Sequence, residues 1–360
     1  MTRRLIEGSE AIADAAIAAG CRFFAGYPMT PFTEVLEHLA KKLPEVGGTC
    51  INAESELEAV GMAWGSAATG ARTATGSTGQ GLALMQESFS EMTLAGLPLV
   101  IFNMSRGQAD YYQSTRGGGH GDYRHIVLAP MDIPEAVELT QLDFHLADRW
   151  RNPVLIYGDY LLAHTYESIE IASIDFGPLP AKDWAVDGAR GANGKSRLVT
   201  SLGMSKEPGK QVDPETHWKQ VAERHRQIEA TEVRVESGFT QDAELVVVAF
   251  GTAAKFVRYV VGQMREEGVP VGYVRPITLW PFPYQALAEL TQGAQRVAVF
   301  EINAGQMIDD VRLGVLGRAP VVPIGGISTD ASGFGVGRLL DTEPIRERIE
   351  AALKGEEIQA

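Results

Sequence analysis

The 360-residue sequence is short of cysteine, of basic clusters and of long apolar runs, and each shortage excludes a class of protein. Its two cysteines, Cys21 and Cys50, are too few for a disulfide framework and lack the Cys-x-x-Cys spacing of zinc and iron–sulfur sites. Lysine and arginine number 32 against 46 acidic residues, and a net charge of −14 without a basic block repels nucleic acid and anionic membranes. No stretch reaches 18 apolar residues, and no signal-peptide core follows Arg3 and Arg4. We therefore expect a cytoplasmic protein with no nucleic-acid or membrane partner and no metal site of its own.

The composition is that of a folded globular protein. Hydrophobic residues make up 45% of the chain and charged residues 22%, and no repeat of about 20 to 50 residues is visible. At roughly 100 to 200 residues per domain, a chain of this length predicts two domains.

Strand-like and helix-like patterns alternate over residues 1–165, which predicts a parallel sheet covered by helices on both faces. The predicted strands are 22–25, 49–52, 72–76, 97–103, 125–129 and 154–158, and the predicted helices are 9–20, 31–43, 56–69, 81–94 and 133–150. Thr30 and Pro31 have the pattern of an N-cap followed by a first-turn proline, so the second of these helices is predicted to start there. Ligands of such sheets bind beyond the carboxyl ends of the strands, in the loops that follow them.

The pattern changes twice after residue 165. Residues 166–243 are rich in glycine, proline and charge, which indicates a linker or surface excursion with one helix near 217–230. Residues 244–360 return to an α/β pattern. Its predicted strands are 245–250, 269–274, 296–301 and 321–324, and its predicted helices are 253–267, 283–291, 304–316 and 344–354.

Two strings resemble phosphate-binding loops without meeting their requirements. Gly194-Lys195-Ser196 ends like a Walker loop, but Ala189 stands where the first glycine would be needed. The string Gly333-Phe334-Gly335-Val336-Gly337 lies late in the chain and outside a first βα turn, so a nicotinamide enzyme is disfavoured.

The segment 104–124 has no clear periodicity and is rich in arginine, tyrosine, aspartate and glycine. Arg106, just past a strand end, has the geometry to hold a substrate carboxylate with both arms of its guanidinium group. For Arg116, Tyr123 and Arg124 the alternative is a contact loop between subunits. His120 is suited to acid–base work or substrate recognition, and the alternative is a structural hydrogen bond.

Three carboxylates cluster where a strand enters a helix: Glu54, Glu56 and Glu58. Residues two apart lie on different faces of a helix, so Glu56 and Glu58 cannot both point into the same site. Composition alone favours solvated carboxylates stabilised by the helix dipole, with one or two of them at most catalytic.

Four groups of residues together resemble a known family. They are Gly26-Tyr27-Pro28-Met29-Thr30-Pro31, then Glu54-Ser55-Glu56 leading into Ala59-Val60-Gly61, then Gly79-Gln80-Gly81-Leu82-Ala83-Leu84-Met85-Gln86-Glu87, and Pro281-Phe282-Pro283 after Val274-Arg275-Pro276. In combination they resemble the alpha subunit of the 2-oxoacid:ferredoxin oxidoreductases over most of the chain. The segment 107–124, followed by Val127-Leu128-Ala129-Pro130, is closest to the 2-oxoisovalerate (branched-chain) type.

The resemblance implies a fold and a reaction. The implied fold is α/β, with a thiamine-diphosphate-binding-type (pyrimidine) doubly wound domain over 1–165 and a transketolase-C-terminal-like domain over 244–360. The implied reaction is oxidative decarboxylation of a 2-oxoacid, with 2-oxoisovalerate favoured, to acyl-CoA, CO2 and reduced ferredoxin. The alternatives are the same chemistry on 2-oxoglutarate or pyruvate, and a non-catalytic scaffold subunit of such a complex.

The resemblance also assigns residues. Glu56 matches the catalytic glutamate that hydrogen-bonds the pyrimidine ring of thiamine diphosphate. Thr30 and Arg106 match the residues that bind the substrate carboxylate. The remaining matched positions are cofactor-binding Pro28, Met29 and Gly81, with Met29 where the family more often has isoleucine. The segment 107–124 becomes a candidate roof over the substrate, with His120 as a substrate-binding residue.

The family's magnesium and diphosphate motif, Gly-Asp-Gly followed by an asparagine, does not occur. The nearest strings are Gly121-Asp122-Tyr123 and Gly158-Asp159-Tyr160. The resemblance therefore implies that magnesium, the diphosphate and a [4Fe-4S] cluster belong to a beta subunit. Gamma and ferredoxin-like delta subunits, ferredoxin and coenzyme A complete the expected partners. A dimer of hetero-oligomers is expected, and this chain alone should be inactive.

Overall fold

The computed structural model describes residues 3–186, 200–202 and 212–356, and the string Gly194-Lys195-Ser196 lies outside them. The elements up to residue 169 are β1 (Arg4–Glu7), α1 (Gly8–Ala18), β2 (Phe23–Gly26), α2 (Thr33–Lys42), β3 (Thr49–Asn52), α3 (Glu56–Ala68), β4 (Thr73–Ser77), α4 (Gly79–Ala95), β5 (Leu99–Ser105), α5 (Tyr111–Thr115), β6 (Ile126–Leu128), α6 (Ile133–Trp150), β7 (Pro153–Asp159), α7 (Tyr160–His164) and β8 (Tyr166–Ile169). Those that follow are α8 (Pro214–Thr231), β9 (Val235–Gly238), β10 (Leu245–Val248), α9 (Gly251–Glu266), β11 (Val271–Pro276), β12 (Thr278–Trp280), α10 (Tyr284–Leu290), β13 (Arg296–Val299), α11 (Met307–Val315), β14 (Val321–Pro323) and α12 (Thr342–Lys354).

The first sheet has the order β12-β6-β7-β5-β4-β2-β3 within the described residues. All of its neighbouring strands are parallel except β12, which runs antiparallel to β6. Its central strands are buried along their whole length, as expected for a sheet with helices on both faces. The predicted parallel α/β sheet is confirmed.

The second sheet has the order β14-β13-β10-β11-β9 in the same described part of the chain, and β9 alone is antiparallel to its neighbour. Two strands cross the boundaries that the sequence suggested. β9 comes from the stretch predicted as a linker, and β12, from the second half, extends the first sheet. The predicted linker also contributes β8, which pairs with β1.

The helix predicted to begin at Thr30 and Pro31 begins instead at Thr33. Phe32 N donates a hydrogen bond to Met29 O at 2.7 Å, so residues 29–32 form a tight turn before the helical ladder starts. Phe32 stands in the N-cap position without a side-chain cap, and Thr30 is exposed. The N-cap prediction for Thr30 is therefore wrong, and its side chain is left at the edge of the sheet.

The strands of the first sheet end in register along one edge. Gly26 of β2 aligns with Gly76 of β4, and Ser77 of β4 aligns with Asn103 of β5. This alignment brings the loops after β2, β4 and β5 together, which is where ligands bind in such sheets. No helix in the described ranges is long and apolar enough to cross a membrane.

Candidate active site

Glu56 opens α3 and points inward, while its neighbours cap the helix. The Ser55 hydroxyl accepts a hydrogen bond from Glu58 N at 3.3 Å, and Glu58 Oε2 accepts one from Glu54 N at 3.0 Å. The pair is a variant of the capping box in which the Glu58 carboxylate reaches the N–H of Glu54 rather than that of the N-cap Ser55, and it holds Glu58 at the surface. Glu56 is only 4% exposed. As the helix period predicted, the two glutamates face different environments.

The Glu56 carboxylate lies between the end of β4 and the first turn of α4. The Ser77 hydroxyl is 3.4 Å from Glu56 Oε1, which is a long hydrogen bond. A Cβ atom at Gly81 would lie 2.4 Å from the same oxygen and 2.1 Å from Ser77 Oγ. Position 81 therefore has no room for a side chain, and the close approach of α4 to Glu56 depends on glycine.

The loop after β2 reaches the same place through Met29. Its thioether sulfur is 3.0 Å from the Thr78 hydroxyl oxygen and 4.0 Å from that of Ser77. Pro28, the preceding residue, is exposed at the surface of this loop. Met29 is thereby in contact with the serine that hydrogen-bonds Glu56, so the loop and the carboxylate form one group.

Arg106 follows β5 directly and contacts the same loop. Its Nε donates a hydrogen bond to Thr30 O at 3.1 Å. The Phe334 ring centroid lies 4.5 Å from Arg106 Cζ. Among the described residues, the two terminal nitrogens of this guanidinium group have no hydrogen-bond acceptor. Arg106 is thus held by its Nε atom and by one face of its guanidinium group, and its two terminal nitrogens are available to bind a carboxylate.

Asp110 is an acidic residue of this edge that the sequence did not assign to the site. A Cβ atom at Gly79 would lie 2.1 Å from Asp110 Oδ1, so the carboxyl group sits on the N-terminus of α4. Burial raises the pKa of Asp110, against the lowering effects of Ser105, Asn103, Arg106 and the Gly79 backbone. Within the described chain, its Oδ2 atom is buried without a hydrogen-bond partner.

His120 is not brought to this group. It is exposed, and its Nε2 atom lies 2.5 Å from Glu91 Oε1 on α4. Glu91 is ten residues beyond Gly81, which is about 15 Å along a helix. The glycine-rich part of the segment packs along α4, where the Tyr123 hydroxyl accepts hydrogen bonds from Gly118 N and Gly119 N. The role predicted for His120 in substrate binding stays a prediction.

The structure therefore brings together six of the seven predicted site positions along one edge of the first sheet: Pro28, Met29, Thr30, Glu56, Gly81 and Arg106. It adds Ser77, Asp110 and Phe334. Ser77 was within reach of sequence reasoning, because it directly follows the predicted strand 72–76. Sequence reasoning could not have identified Asp110 and Phe334, because the residues that they contact lie far from them in the chain.

Comparison with known proteins gives this geometry a context. Residues 14–239 match the family described as pyruvate flavodoxin/ferredoxin oxidoreductase, thiamine diphosphate-binding, and residues 243–331 match pyruvate:ferredoxin oxidoreductase core domain II. The ketoisovalerate oxidoreductase subunit VorB of Methanothermobacter marburgensis is 37% identical over 323 residues, 87% of this chain and 90% of that protein. The 2-oxoglutarate synthase subunit KorA of Methanothermobacter thermautotrophicus is 34% identical over 350 residues, 88% of this chain and 92% of that protein.

A solved structure shares the fold. It is the 2-oxoglutarate:ferredoxin oxidoreductase from Magnetococcus marinus with 2-oxoglutarate, coenzyme A and succinyl-CoA bound. The match has a TM-score of 0.81 at 22% identity and covers 98% of this chain and 65% of that one. The fold class implied by the sequence is confirmed, whereas the names of the relatives divide between two 2-oxoacids.

Proposed function

Since this chain belongs to the pyruvate flavodoxin/ferredoxin oxidoreductase family, we propose that it is the alpha subunit of a coenzyme-A-dependent 2-oxoacid:ferredoxin oxidoreductase that prefers 2-oxoisovalerate. The observation that carries the proposal is the buried Glu56 carboxylate, held over Gly81 with Ser77 as a weak partner. Preference for the branched-chain acid is supported by the 37% identity to VorB and by the segment 107–124.

Thiamine diphosphate fits this group of residues. Among the described residues, the Glu56 carboxylate has no hydrogen bond shorter than the 3.4 Å contact with Ser77. It is therefore available to share a proton with a nitrogen of the cofactor's pyrimidine ring. Glu56 would hold the pyrimidine ring of thiamine diphosphate through this shared proton, and its carboxyl group would control the protonation of that ring in a water-poor cleft. Pro28 and Met29 line the approach, and Gly81 provides the room. The chemistry that the cofactor supplies is carbanion stabilisation during decarboxylation.

Arg106 and Thr30 bind the carboxylate of the 2-oxoacid in this proposal. The Arg106 fork can receive both carboxylate oxygens, and the Thr30 hydroxyl, which caps no helix, can turn toward them. Holding the acid at one end fixes the position of its keto carbon, which lowers the entropic cost of reaction.

The rest of the reaction belongs to partners. We propose that a beta subunit provides magnesium, the diphosphate contacts and a [4Fe-4S] cluster, and that gamma and ferredoxin-like delta subunits complete a cytoplasmic dimer of hetero-oligomers. Coenzyme A is the co-substrate and ferredoxin the electron acceptor. The naming of the relatives as subunits supports an assembly of this kind.

The first experiment is purification of the chain with its native partners and measurement of 2-oxoacid- and coenzyme-A-dependent reduction of a viologen dye. The acids compared are 2-oxoisovalerate, 2-oxoglutarate and pyruvate, with bound thiamine diphosphate and iron assayed in the same sample. Strongest reduction with 2-oxoisovalerate is expected. Preference for another acid would refute the substrate assignment, and absence of thiamine diphosphate would refute the proposed site.

Glu56→Gln tests the catalytic role in the same complex. The amide cannot share the proton as the carboxyl group does, so turnover should fall at least about 100-fold. Glu58→Gln is the matched control, because it makes the same change one half-turn away and the glutamine side-chain oxygen can still accept the hydrogen bond from Glu54 N. Unchanged turnover of an assembled Glu56→Gln complex would favour a scaffold subunit.

A further inference from the structure

A loop of the second half of the chain reaches over the candidate site. It follows β14 and contains the string Gly333–Gly337, which matched no phosphate-binding motif. The ring centroid of Phe334 lies 4.5 Å from Arg106 Cζ, at the end of β5. A Cβ atom at Gly335 would lie 3.3 Å from the ring of Tyr160, which follows β7. The loop therefore lies over the carboxyl ends of two adjacent strands of the first sheet.

The loop is held in shape by its own hydrogen bonds. Asp330 Oδ1 accepts hydrogen bonds from Ser332 N at 2.9 Å, Gly333 N at 3.1 Å and Gly335 N at 3.3 Å. Phe334 N donates to Ser332 Oγ at 3.1 Å, and Gly333 has a φ of 74°, a conformation that favours glycine. Phe334 is thus carried on a turn whose shape does not depend on a ligand.

The Phe334 ring limits a motion of Arg106 that the hydrogen bond to Thr30 leaves free. The bond from Nε to Thr30 O fixes one edge of the guanidinium group, and rotation about that edge would turn the fork away from the cleft. A ring against the guanidinium face opposes this rotation through cation–π attraction and packing. The two contacts together hold the guanidinium plane in one orientation.

We propose that Phe334 is a positioning and specificity-determining residue for the 2-oxoacid. Its ring holds Arg106 ready for the substrate carboxylate and presents an apolar edge to the substrate's side chain. An apolar side chain is then favoured over one that ends in a second carboxylate, because an anion placed beside an aromatic ring loses water without gaining a partner. This inference rests on the proposed function, and it assigns a specificity role to a loop outside the first sheet.

The test uses the complex with its native partners and the variants Phe334→Leu, Phe334→Tyr and Phe334→Gln. Leucine keeps an apolar side chain but loses the π face, so KM for 2-oxoisovalerate should rise about 5- to 20-fold while kcat changes less than about 2-fold. The ratio of kcat/KM for 2-oxoisovalerate to that for 2-oxoglutarate should change little in Phe334→Leu, because leucine is also apolar and both acids carry the carboxylate that Arg106 binds. The polar side chain of Phe334→Gln should lower this ratio. Tyrosine keeps the π face and should restore KM to within about 2-fold of wild type.

The matched control is Phe239→Leu. The ring of Phe239 also lies against an arginine, with Arg265 Cζ 5.4 Å from its centroid, but outside the candidate site. Its kinetic constants should equal those of wild type, and the KM for coenzyme A should be unchanged in all variants.

The outcomes separate this inference from the proposed function. A wild-type complex without 2-oxoacid-dependent dye reduction would overturn both. Wild-type turnover with an unchanged KM in Phe334→Leu would overturn the positioning role alone. An equal loss in Phe334→Leu and Phe334→Tyr would show that the π face is not what positions Arg106, and would overturn the positioning role as well.

Discussion

Gly81 is the residue on which the contact between α4 and Glu56 depends. Alanine is a better helix former than glycine by about 1 kcal/mol, so propensity alone would make Gly81→Ala stabilising. At this position the added Cβ would meet Ser77 Oγ at 2.1 Å and Glu56 Oε1 at 2.4 Å, and at least one of these atoms must move. Local steric conflict therefore outweighs helix propensity at the site.

We expect Gly81→Ala to lower the thiamine diphosphate content of the purified complex and its turnover by at least about 10-fold, because a displaced Glu56 cannot meet the cofactor ring. Gly262→Ala is the matched control, since it lies within α9 and its Cβ would meet nothing within 4 Å. That variant should keep full activity and gain stability of up to about 1 kcal/mol. Equal cofactor content in both variants would contradict the crowding argument.

Some residues of the site could be predicted from the sequence and others could not. Glu56 and Glu58 were separated by the helix period alone, and burial of Glu56 agrees with that argument. The choice of Glu56, Thr30 and Arg106 as site residues came from matched strings. The burial of Asp110 depends on the approach of Gly79, which only the folded sheet produces.

At the scale of elements, long periodic segments were predictable and short edge strands were not. Helix α6 occupies Ile133–Trp150, as predicted, and its N-cap Asp132 accepts a hydrogen bond from Glu135 N at 3.1 Å. The missed strands β1, β8, β9 and β12 are three or four residues long. Such strands carry too little alternation to be recognised, because their stability comes from pairing with partners far away in the sequence.

Packing of helix α8 against the first sheet buries two histidines. His225 of this helix and His125, just before β6, are both buried, and their ring Nε2 atoms have no hydrogen-bond partner in the described part of the chain. Burial lowers the pKa of His125 to about 4 and that of His225 to about 3, with Arg224 and Arg124 also lowering the latter. Both imidazoles are therefore neutral in the folded chain at neutral pH.

The free energy of unfolding should consequently fall as the pH drops below about 6.5. Below that pH the unfolded chain binds a proton at each of these two histidines and the folded chain does not. Proton binding therefore stabilises the unfolded state relative to the folded state. Between pH 6.5 and 5 the loss should be about 2 kcal/mol for each histidine. Urea unfolding of the chain at pH 7.5 and 5.0 measures this loss. His225→Asn and His125→Asn should each remove the contribution of one imidazole, and the double variant should remove both. The pH dependence that remains includes the contributions of His38 and His145, whose pKa values burial also lowers. An unaltered pH dependence in the double variant would mean that these side chains are not buried as neutral groups.

At the scale of the whole molecule, the two sheets are joined by contacts that span much of the sequence. The Gln108 side chain donates to Phe250 O at 2.9 Å and accepts from Ile302 N at 3.0 Å. Asp310 accepts hydrogen bonds from Tyr111 at 2.7 Å and Arg116 at 3.1 Å. These contacts hold the segment after β5 against the second half of the chain. The sequence predicted two α/β units but not this junction, because no local pattern encodes pairings nearly 200 residues apart.

Arg275 of β11 is a second buried link between the two halves of the chain. It is 2% exposed, and it binds Glu135 of α6 through two hydrogen bonds of 2.7 Å and Glu236 of β9 through one of 3.0 Å. These partners raise the pKa of Arg275 against the lowering effect of its burial. One arginine thus neutralises a carboxylate from each half of the chain.

Arg275→Met should lower the free energy of unfolding by about 3 kcal/mol, because Glu135 loses its ion-pair partner and Glu236 keeps only its pair with the more exposed Arg258. Arg275→Lys should recover only part of this loss, since an ammonium group cannot reproduce the two parallel bonds to Glu135. Arg346→Met is the matched control: Arg346 also pairs with two carboxylates, those of Glu267 and Glu350, but at the surface, and the loss there should be far smaller. Scanning calorimetry of the three variants measures the differences.

Phe334 and Arg106 come from different halves of the chain, and Arg275 links these halves. Arg275→Met should therefore also raise KM for the 2-oxoacid below the melting temperature. An unchanged KM in a destabilised variant would show that the loop carrying Phe334 is positioned independently of Arg275.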